Sequence, residues 1–137
     1  MKTYQVEKVN SKDIKYFTIT MGLLPGYDGK EEYTFEHVIS LIKEFIAKEL
    51  EQSTSPFPLK ISRGNLVYGF KDEEENTVIN ESSIEIHGEI MRKHFTVIFD
   101  DDTKLLEKIN EFSSYLGNEL HQERIHIQFN NQKYVLQ

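Results

Sequence analysis

The spacing of apolar residues between positions 94 and 129 changes its period twice, and this stretch organises the predicted fold. Residues 94–100 alternate apolar and polar side chains, which is typical of a strand. A helical stripe follows, formed by Leu105, Ile109, Phe112 and Leu116. Residues 124–129 then alternate again, so the pattern predicts a β-α-β unit.

The same change from strand to helix occurs earlier in the chain. A strand at residues 14–24 carries Phe17, Ile19, Met21 and Leu23 on one face and Tyr16, Thr18 and Thr20 on the other. Turns are predicted at Pro25-Gly26 and Asp28-Gly29. Thr34 is expected to cap a helix. The apolar face of that helix consists of Phe35, Val38, Ile39, Ile42, Phe45, Ile46 and Leu50.

Shorter strands are predicted around these units. Residues 58–61 and 66–70 flank Arg63-Gly64-Asn65 and form either one bulged strand or a hairpin. Residues 83–90 alternate again beyond an acidic tip at 71–76, and Asn130-Asn131 turns the chain into a last strand at 134–136. Residues 1–13 are expected to hold a short edge strand, and Gly117-Asn118 is expected to end the second helix.

Together these elements predict one α+β domain over residues 1–137. Each amphipathic helix needs a sheet face to cover it, and the strands offer a single strongly apolar face. We expect a ferredoxin-like two-layer sandwich, with both helices on one face of a mainly antiparallel sheet that carries an extra hairpin. The covered face is expected to contain Phe17, Ile19, Val97 and Ile127.

Composition narrows the classes of function. The 137 residues include no Cys, which excludes disulfides and thiolate chemistry. No apolar run approaches the roughly 20 residues of a membrane span, and the first residues lack a signal-peptide pattern. We therefore expect a cytoplasmic protein that does not bind membranes. The net charge of −7 weighs against nucleic-acid binding and is compatible with a basic protein partner.

The sheet face opposite the helices is the predicted site. Its candidate binding residues are Tyr16, Thr18, His87, Glu89, His94 and His126. Histidines and carboxylates on one surface are suited to metal binding or to acid–base chemistry near neutral pH. No histidine pair has the helical spacing of a zinc site, so no metal, cofactor or catalytic residue is assigned. An uncovered, partly aromatic sheet face also favours a homodimer.

Two further motifs favour structural roles. In the loop before the first helix, Leu24 stands where a phosphate-binding loop requires its first glycine, and Glu31 stands where it requires a hydroxyl. Asp100-Asp101-Asp102 has the ligand type that Mg²⁺ prefers. A helix cap with favourable charge at the helix N-terminus explains those aspartates better.

The chain resembles a family of short uncharacterised bacterial proteins with a ferredoxin-like fold. The resemblance is carried by the first strand running into Gly22-Leu23, by Arg63-Gly64-Asn65, by residues 80–84 and by Gln122-Glu123. It implies the fold, implies no activity, and draws attention to Glu81, Gln122 and Glu123. The strand predicted at residues 94–99 is an addition to the family pattern.

No matched nucleophile, acid–base pair or ligand set stands out, which weighs against an enzyme without deciding the matter. We therefore expect a non-enzymatic binding or regulatory module that self-associates through its sheet. One alternative is an acidic immunity or inhibitor protein that binds a basic partner. Another is a small enzyme or metal-binding protein that uses His87, His94 and His126.

Overall fold

A five-stranded antiparallel sheet with two helices forms the fold. The computed structural model of the protein describes residues 1–26 and 31–137, so the turn predicted at Asp28-Gly29 lies outside the described residues. The strands are β1 (Ile14–Gly22), β2 (Leu59–Lys71), β3 (Asn76–Met91), β4 (Ile125–Phe129) and β5 (Gln132–Leu136). The helices are α1 (Phe35–Glu51) and α2 (Asp102–Glu119).

The strand order is β2-β3-β1-β4-β5, and every neighbouring pair is antiparallel. The connections β1-α1-β2 and β3-α2-β4 each pass over one intervening strand, which is the ferredoxin-like arrangement. The predicted fold class is therefore confirmed. β5 is added by a tight hairpin whose two turn residues, Asn130 and Asn131, have φ of 54° and 60°. Asparagine tolerates this left-handed conformation better than most residues.

Both helices cover the same face of the sheet. Val38 and Ile42 of α1 and Leu105 and Ile109 of α2 are buried in one cluster with the alternate residues of the strands. Phe45 of α1 meets the ring of Phe112 of α2 edge-on, with 5.1 Å between ring centroids. The strands contribute residues to this core that face the helices, including Phe17, Ile19, Ile84, Ile86, Ile125 and Ile127. Leu50, predicted on the apolar face of α1, is exposed at its last turn.

The predicted strand at residues 94–100 is wrong, because these residues form consecutive turns. The amide of Phe99 donates to the carbonyl of Phe95 at 2.8 Å, a helix-like contact that brings both rings to the same side. Phe95 and Phe99 are buried, whereas Val97, expected in the core, is 91% exposed. The apolar residues here are spaced by two, as in a strand, and also by four, as in a helical turn. The turn is favoured because it buries both phenylalanines.

Several other predicted boundaries of strands and helices differ from those in the structure. Residues 1–10 form no strand, and Ser11–Asp13 is a short 3-10 turn. The pieces at 58–61 and 66–70 belong to the single strand β2, which pairs with β3 along its whole length, so β3 begins well before residue 83. Gly117 lies inside α2, where a Cβ would come within 2.3 Å of Ile125 Cδ1. Its role is close packing rather than termination.

The predicted helix caps are present. The Thr34 side chain accepts a hydrogen bond from the amide of His37, and the Asp101 side chain accepts one from the amide of Lys104. The neighbouring carboxylates point to different partners, since Asp100 pairs with Arg92 at 2.7 Å and Asp102 with Lys15 at 2.8 Å. No helix in the described part of the chain is long and apolar enough to cross a membrane.

Candidate functional site

The helix-free face of the sheet, here called the open face, brings together five of the six predicted site residues. In the register of β1 with β3, Tyr16 lies opposite Glu89 and Thr18 opposite His87. In the register of β1 with β4, Thr20 lies opposite His126. Strand alternation therefore places Tyr16, Thr18, His87, Glu89 and His126 on one surface.

His94 does not join this surface, which corrects the prediction. It lies exposed in the turns that follow β3, because the strand expected to carry it does not form. His87 and His126 are separated by β1 and offset by two residues along it, which puts their backbones roughly 12 Å apart. The three histidines therefore form no common site, and no group of three or more His, Asp or Glu residues in the described ranges is placed to hold a metal ion.

The two histidines of the open face have different surroundings. His87 contacts the Thr18 hydroxyl through Nδ1 at 3.2 Å and the Glu85 carboxylate through Nε2 at 3.5 Å, and it is half-exposed. His126 is more enclosed, and its Nδ1 is buried without a hydrogen-bond partner. Burial lowers the pKa of His126, and the positive charges of Lys133 and Arg124 lower it further. His126 is therefore held as a neutral imidazole near pH 7.

A cleft of roughly 330 Å³ opens on this face where β1 ends. One wall is the β2–β3 hairpin, with Leu66, Tyr68 and Glu81. The opposite wall is the segment that joins α2 to β4 and continues into that strand, and the loop after β1 closes the end of the cleft. The remaining lining residues are Met21, Gly22, Leu24, Gly26, Gln122, Glu123, Arg124 and His126.

Glu81 is held in a defined position inside the cleft. Its Oε1 accepts a hydrogen bond from the Tyr68 hydroxyl and its Oε2 accepts one from the amide of Leu24, each at 3.3 Å. The carboxylate lies directly over Gly22, where a Cβ would stand 2.6 Å from Oε2. A residue without a side chain at the end of β1 therefore provides the space that the carboxylate occupies.

The loop after β1 is tied to both walls. The amide of Leu23 donates to the carbonyl of Ser82 on β3 at 2.9 Å, and the amide of Gly26 donates to the carbonyl of His121 at 2.8 Å. Gln122 adds a side-chain link, since its Nε2 donates to the carbonyl of Leu24 at 3.0 Å. The cleft is thus preorganised by hydrogen bonds between three segments that are distant in sequence.

The end of α2 determines where Gln122 and Glu123 lie. The amide of Gln122 donates a hydrogen bond to the carbonyl of Gly117, and the amide of His121 donates one to the carbonyl of Asn118. This pair of hydrogen bonds defines a Schellman motif. His121 occupies its left-handed position with φ of 51°, where glycine is the usual residue. The motif reverses the chain so that the residues after His121 run directly along the cleft.

The chemistry of the cleft suits a ligand with a positive charge and an apolar or planar part. Glu81 and Glu123 supply negative charge, and Arg124 supplies a cation for an acidic group of the ligand. Leu24, Leu66 and the Tyr68 ring add apolar surface. The volume lies at the lower end of the range typical of small-molecule sites.

Sequence reasoning identified part of this site by an indirect route. The resemblance drew attention to Glu81, Gln122 and Glu123, and all three line the cleft. Tyr68 was missed because the strand around it was predicted in two pieces. In the structure, residues 66–70 pair with residues 77–81, and the sequence carries no clear alternation in either segment that would have indicated this pairing.

The fold and the cleft define a class: a ferredoxin-like α+β domain whose open sheet face carries a cleft of the size of a small molecule. No protein-family model matches the sequence, and no curated protein matches it. Among solved structures, a phage SAM lyase in the apo state has a TM-score of 0.64 and 19% identity, over 96% of this chain and 95% of that one. A phage SAM lyase in complex with S-methyl-5'-thioadenosine has a TM-score of 0.59 and 20% identity, over 97% and 95%.

These similarities correct the expected function. The prediction of a non-enzymatic module of unknown function is wrong, because both similar structures are described as a lyase. They favour the enzyme alternative instead. The residues of that alternative need correction as well, since His94 lies away from the sheet and only His126 of the three histidines lines the cleft.

Proposed function

We propose that this protein is a lyase that cleaves S-adenosylmethionine, releasing S-methyl-5'-thioadenosine, in the cleft beside Glu81. The observation that carries the proposal is the fixed Glu81 carboxylate, bonded by Tyr68 and Leu24 within a cleft of ligand size. The similarity to two phage SAM lyase structures over nearly the whole chain supports it.

The charges of the substrate match those of the cleft. S-adenosylmethionine carries a sulfonium and an ammonium group at one end, and Glu81 offers a carboxylate for that positive end. Its single carboxylate can pair with Arg124. The apolar surface of Leu24, Leu66 and Tyr68 is suited to the adenosyl part.

The products determine which bond breaks. S-methyl-5'-thioadenosine keeps the methyl and adenosyl groups on sulfur, so the bond that breaks joins sulfur to the four-carbon amino-acid chain. The electron pair of that bond goes to sulfur, which changes from a sulfonium to a neutral thioether. The carboxylate oxygen of the same chain attacks the carbon that sulfur leaves, and a five-membered lactone forms. Atoms and charge balance without water, an oxidant or an external base.

In this reaction the protein acts mainly by orientation. Glu81 binds the positive end of the substrate and fixes the conformation in which the substrate carboxylate reaches the carbon bonded to sulfur. Tyr68 and the amide of Leu24 hold Glu81 in place. Both Glu81 oxygens already accept hydrogen bonds, which suits an electrostatic role better than removal of a proton from carbon.

Incubation of the protein with S-adenosylmethionine tests the proposal. We expect one S-methyl-5'-thioadenosine for each substrate consumed, with the four-carbon fragment recovered as the lactone by mass spectrometry. Glu81→Gln should lower kcat/KM about 100-fold, because the charge that orients the substrate is lost. Tyr68→Phe should lower it about ten-fold, because one hydrogen bond to Glu81 is lost.

Glu85→Gln is the matched control, since Glu85 is an exposed carboxylate on the same face of β3 and does not line the cleft. It should keep wild-type kinetics. The substrate also decomposes slowly without enzyme, so the rate is compared with a protein-free sample. Failure of the wild-type protein to exceed that background rate would overturn the proposal.

A further inference from the structure

His126 is a polar residue of the cleft for which the reaction above has no use. It lies on β4 opposite Thr20 and lines the cleft together with Glu81 and Tyr68. Its Nδ1 atom is buried and makes no hydrogen bond. Buried polar atoms are almost always satisfied, so an orphaned one inside a candidate site calls for an explanation.

The lack of a partner for Nδ1 bears on which nitrogen of the His126 ring carries the proton. A buried N–H without an acceptor is rarer in proteins than a buried acceptor without a donor. A neutral ring that carries its proton on Nε2 leaves Nδ1 as a bare acceptor, whereas the other tautomer would bury an N–H without an acceptor. Nδ1 is the enclosed nitrogen of a residue that lines the cleft, so Nε2 is the ring nitrogen available to a ligand.

The surroundings of His126 keep the ring in that form. Burial lowers the pKa of His126, and the positive charges of Lys133 on β5 and of Arg124, which directly precedes β4, lower it further. Tyr68 of β2, Glu81 of β3 and Glu123 line the same cleft, and β1 contributes the uncharged Thr20 beside it. A neutral donor is thereby placed in a cleft whose other polar groups are largely charged.

We infer that His126 is a ligand-contacting residue that donates its Nε2–H to an uncharged acceptor of the bound nucleoside, such as a base nitrogen or a ribose oxygen. This inference rests on the proposed function, because the nucleoside thioether is the ligand that function implies. The division of roles follows from charge. Glu81 and Arg124 bind the charged end of the ligand, and His126 binds the nucleoside end.

Two variants test the role of the donor in binding S-methyl-5'-thioadenosine, measured by calorimetry. His126→Gln keeps an N–H close to the position of Nε2 and should bind within about two-fold of wild type. His126→Phe keeps a planar ring without the donor and should bind about ten-fold more weakly. His87→Phe, on the same face outside this cleft, is the matched control and should bind like wild type.

Nitrogen NMR of the wild-type protein gives a second readout that does not depend on activity. The His126 ring should show the tautomer protonated at Nε2, and the Nε2 signal should shift when the nucleoside thioether is added. An Nδ1-protonated ring would overturn the inference, as would a His126→Phe variant that binds like wild type. If the wild-type protein neither cleaves S-adenosylmethionine nor binds the thioether, both proposals fail. If it does both and His126→Phe is unaffected, only this inference fails.

Discussion

Gly22 shows how one residue without a side chain determines the position of a functional group. It is the last residue of β1, and the carboxylate of Glu81 occupies the space where any other residue would place its Cβ. The backbone of Gly22 does not require glycine, because its φ is not in the left-handed region; among the glycines of the described residues, Gly26 is the one with a positive φ. The requirement for glycine is therefore one of space.

Gly22→Ala should separate activity from stability. The added Cβ would stand 2.6 Å from Oε2 of Glu81, and the flexible carboxylate can move away without disturbing the core. We expect kcat/KM for S-adenosylmethionine to fall at least ten-fold, because the hydrogen bonds to Tyr68 and Leu24 are lost. The melting temperature should change by no more than about 3 °C.

Gly64→Ala is the control for this prediction. Gly64 lies on the same face of β2, which β3 separates from β1, and its Cβ would approach the Ser83 hydroxyl at 3.0 Å, away from Glu81. It should retain activity within about two-fold of wild type. A Gly22→Ala variant with wild-type kinetics would show that the exact position of Glu81 is not required.

At the residue scale, the sequence predicted on which face of a strand each side chain lies, and it failed to predict the distances between side chains on different strands. Alternation along β1 and β3 correctly put Thr18 and His87 on one surface, because side chains alternate strictly in a strand. It could not show that β1 separates His87 from His126, because strand order depends on the tertiary fold. The idea of a three-histidine site failed for that reason, and because His94 is not in a strand.

At the scale of elements, α2 and β4 pack closely because Gly117 of the helix has no side chain. Gly117 lies in the buried face of α2, and the Ile125 side chain of β4 fills the space next to it. The sequence predicted that this glycine ends the helix, which is the commoner role of glycine near a helix C-terminus. The helix continues for two more residues because its partner strand approaches closely at this point.

Gly117→Ala should therefore destabilise the protein despite the better helix propensity of alanine. The propensity gain is about 1 kcal/mol, whereas overpacking against Ile125 Cδ1 at 2.3 Å costs about 1–3 kcal/mol. Ile125→Val removes that methyl group and alone should cost about 1 kcal/mol. In the double variant the clash is gone, so its loss of stability should be smaller than the sum of the two single losses.

Urea unfolding of the four proteins measures this coupling. Ser114→Ala, at an exposed position of the same helix, controls for helix propensity and should not be destabilising. Additive losses in the double variant would contradict the close-packing role of Gly117.

The segment at residues 94–100 illustrates the limit of pattern reading for short elements. Its apolar residues fit a strand, with Phe95, Val97 and Phe99 on one side, and they also fit a helical turn with Phe95 and Phe99 only. The structure adopts the turns, which bury both rings and expose Val97. The choice depends on partners that are distant in sequence, such as Phe57, whose ring centroid lies 4.9 Å from that of Phe95.

At the scale of the whole molecule, one face of the sheet has no helices over it. The β2–β3 hairpin extends this sheet and carries large apolar side chains that are well exposed, including Val67, Phe70 and Val78. Such surfaces commonly contact another protein. We therefore propose that the protein forms a homodimer that covers the hairpin. Binding of a basic protein partner, expected from the net charge of −7, is a separate prediction.

Light scattering coupled to size-exclusion chromatography tests the homodimer. The chain has a mass of 16.1 kDa, so we expect a species of about twice that mass. A combined Phe70→Ser and Val78→Thr variant should shift the protein towards the monomer, because it removes apolar surface without touching the core. A wild-type protein that elutes at 16.1 kDa at all concentrations would contradict the prediction.

The sequence by itself determined the class of fold. Helical and strand periodicities are local, and two one-sided helices with one-sided strands can bury their apolar faces in few arrangements. The ferredoxin-like sandwich, the caps at Thr34 and Asp101 and the Asn130-Asn131 hairpin followed from these local signals.

Only the tertiary structure decided where a ligand can bind. The cleft is formed by residues from β1, β2, β3 and the segment after α2, which meet because of strand order and loop hydrogen bonds. Glu81 depends on Gly22 and Tyr68, which are 59 and 13 positions away from it in the chain. Contacts between residues so far apart leave no periodic pattern in the sequence, because they depend on how the elements pack rather than on the elements themselves.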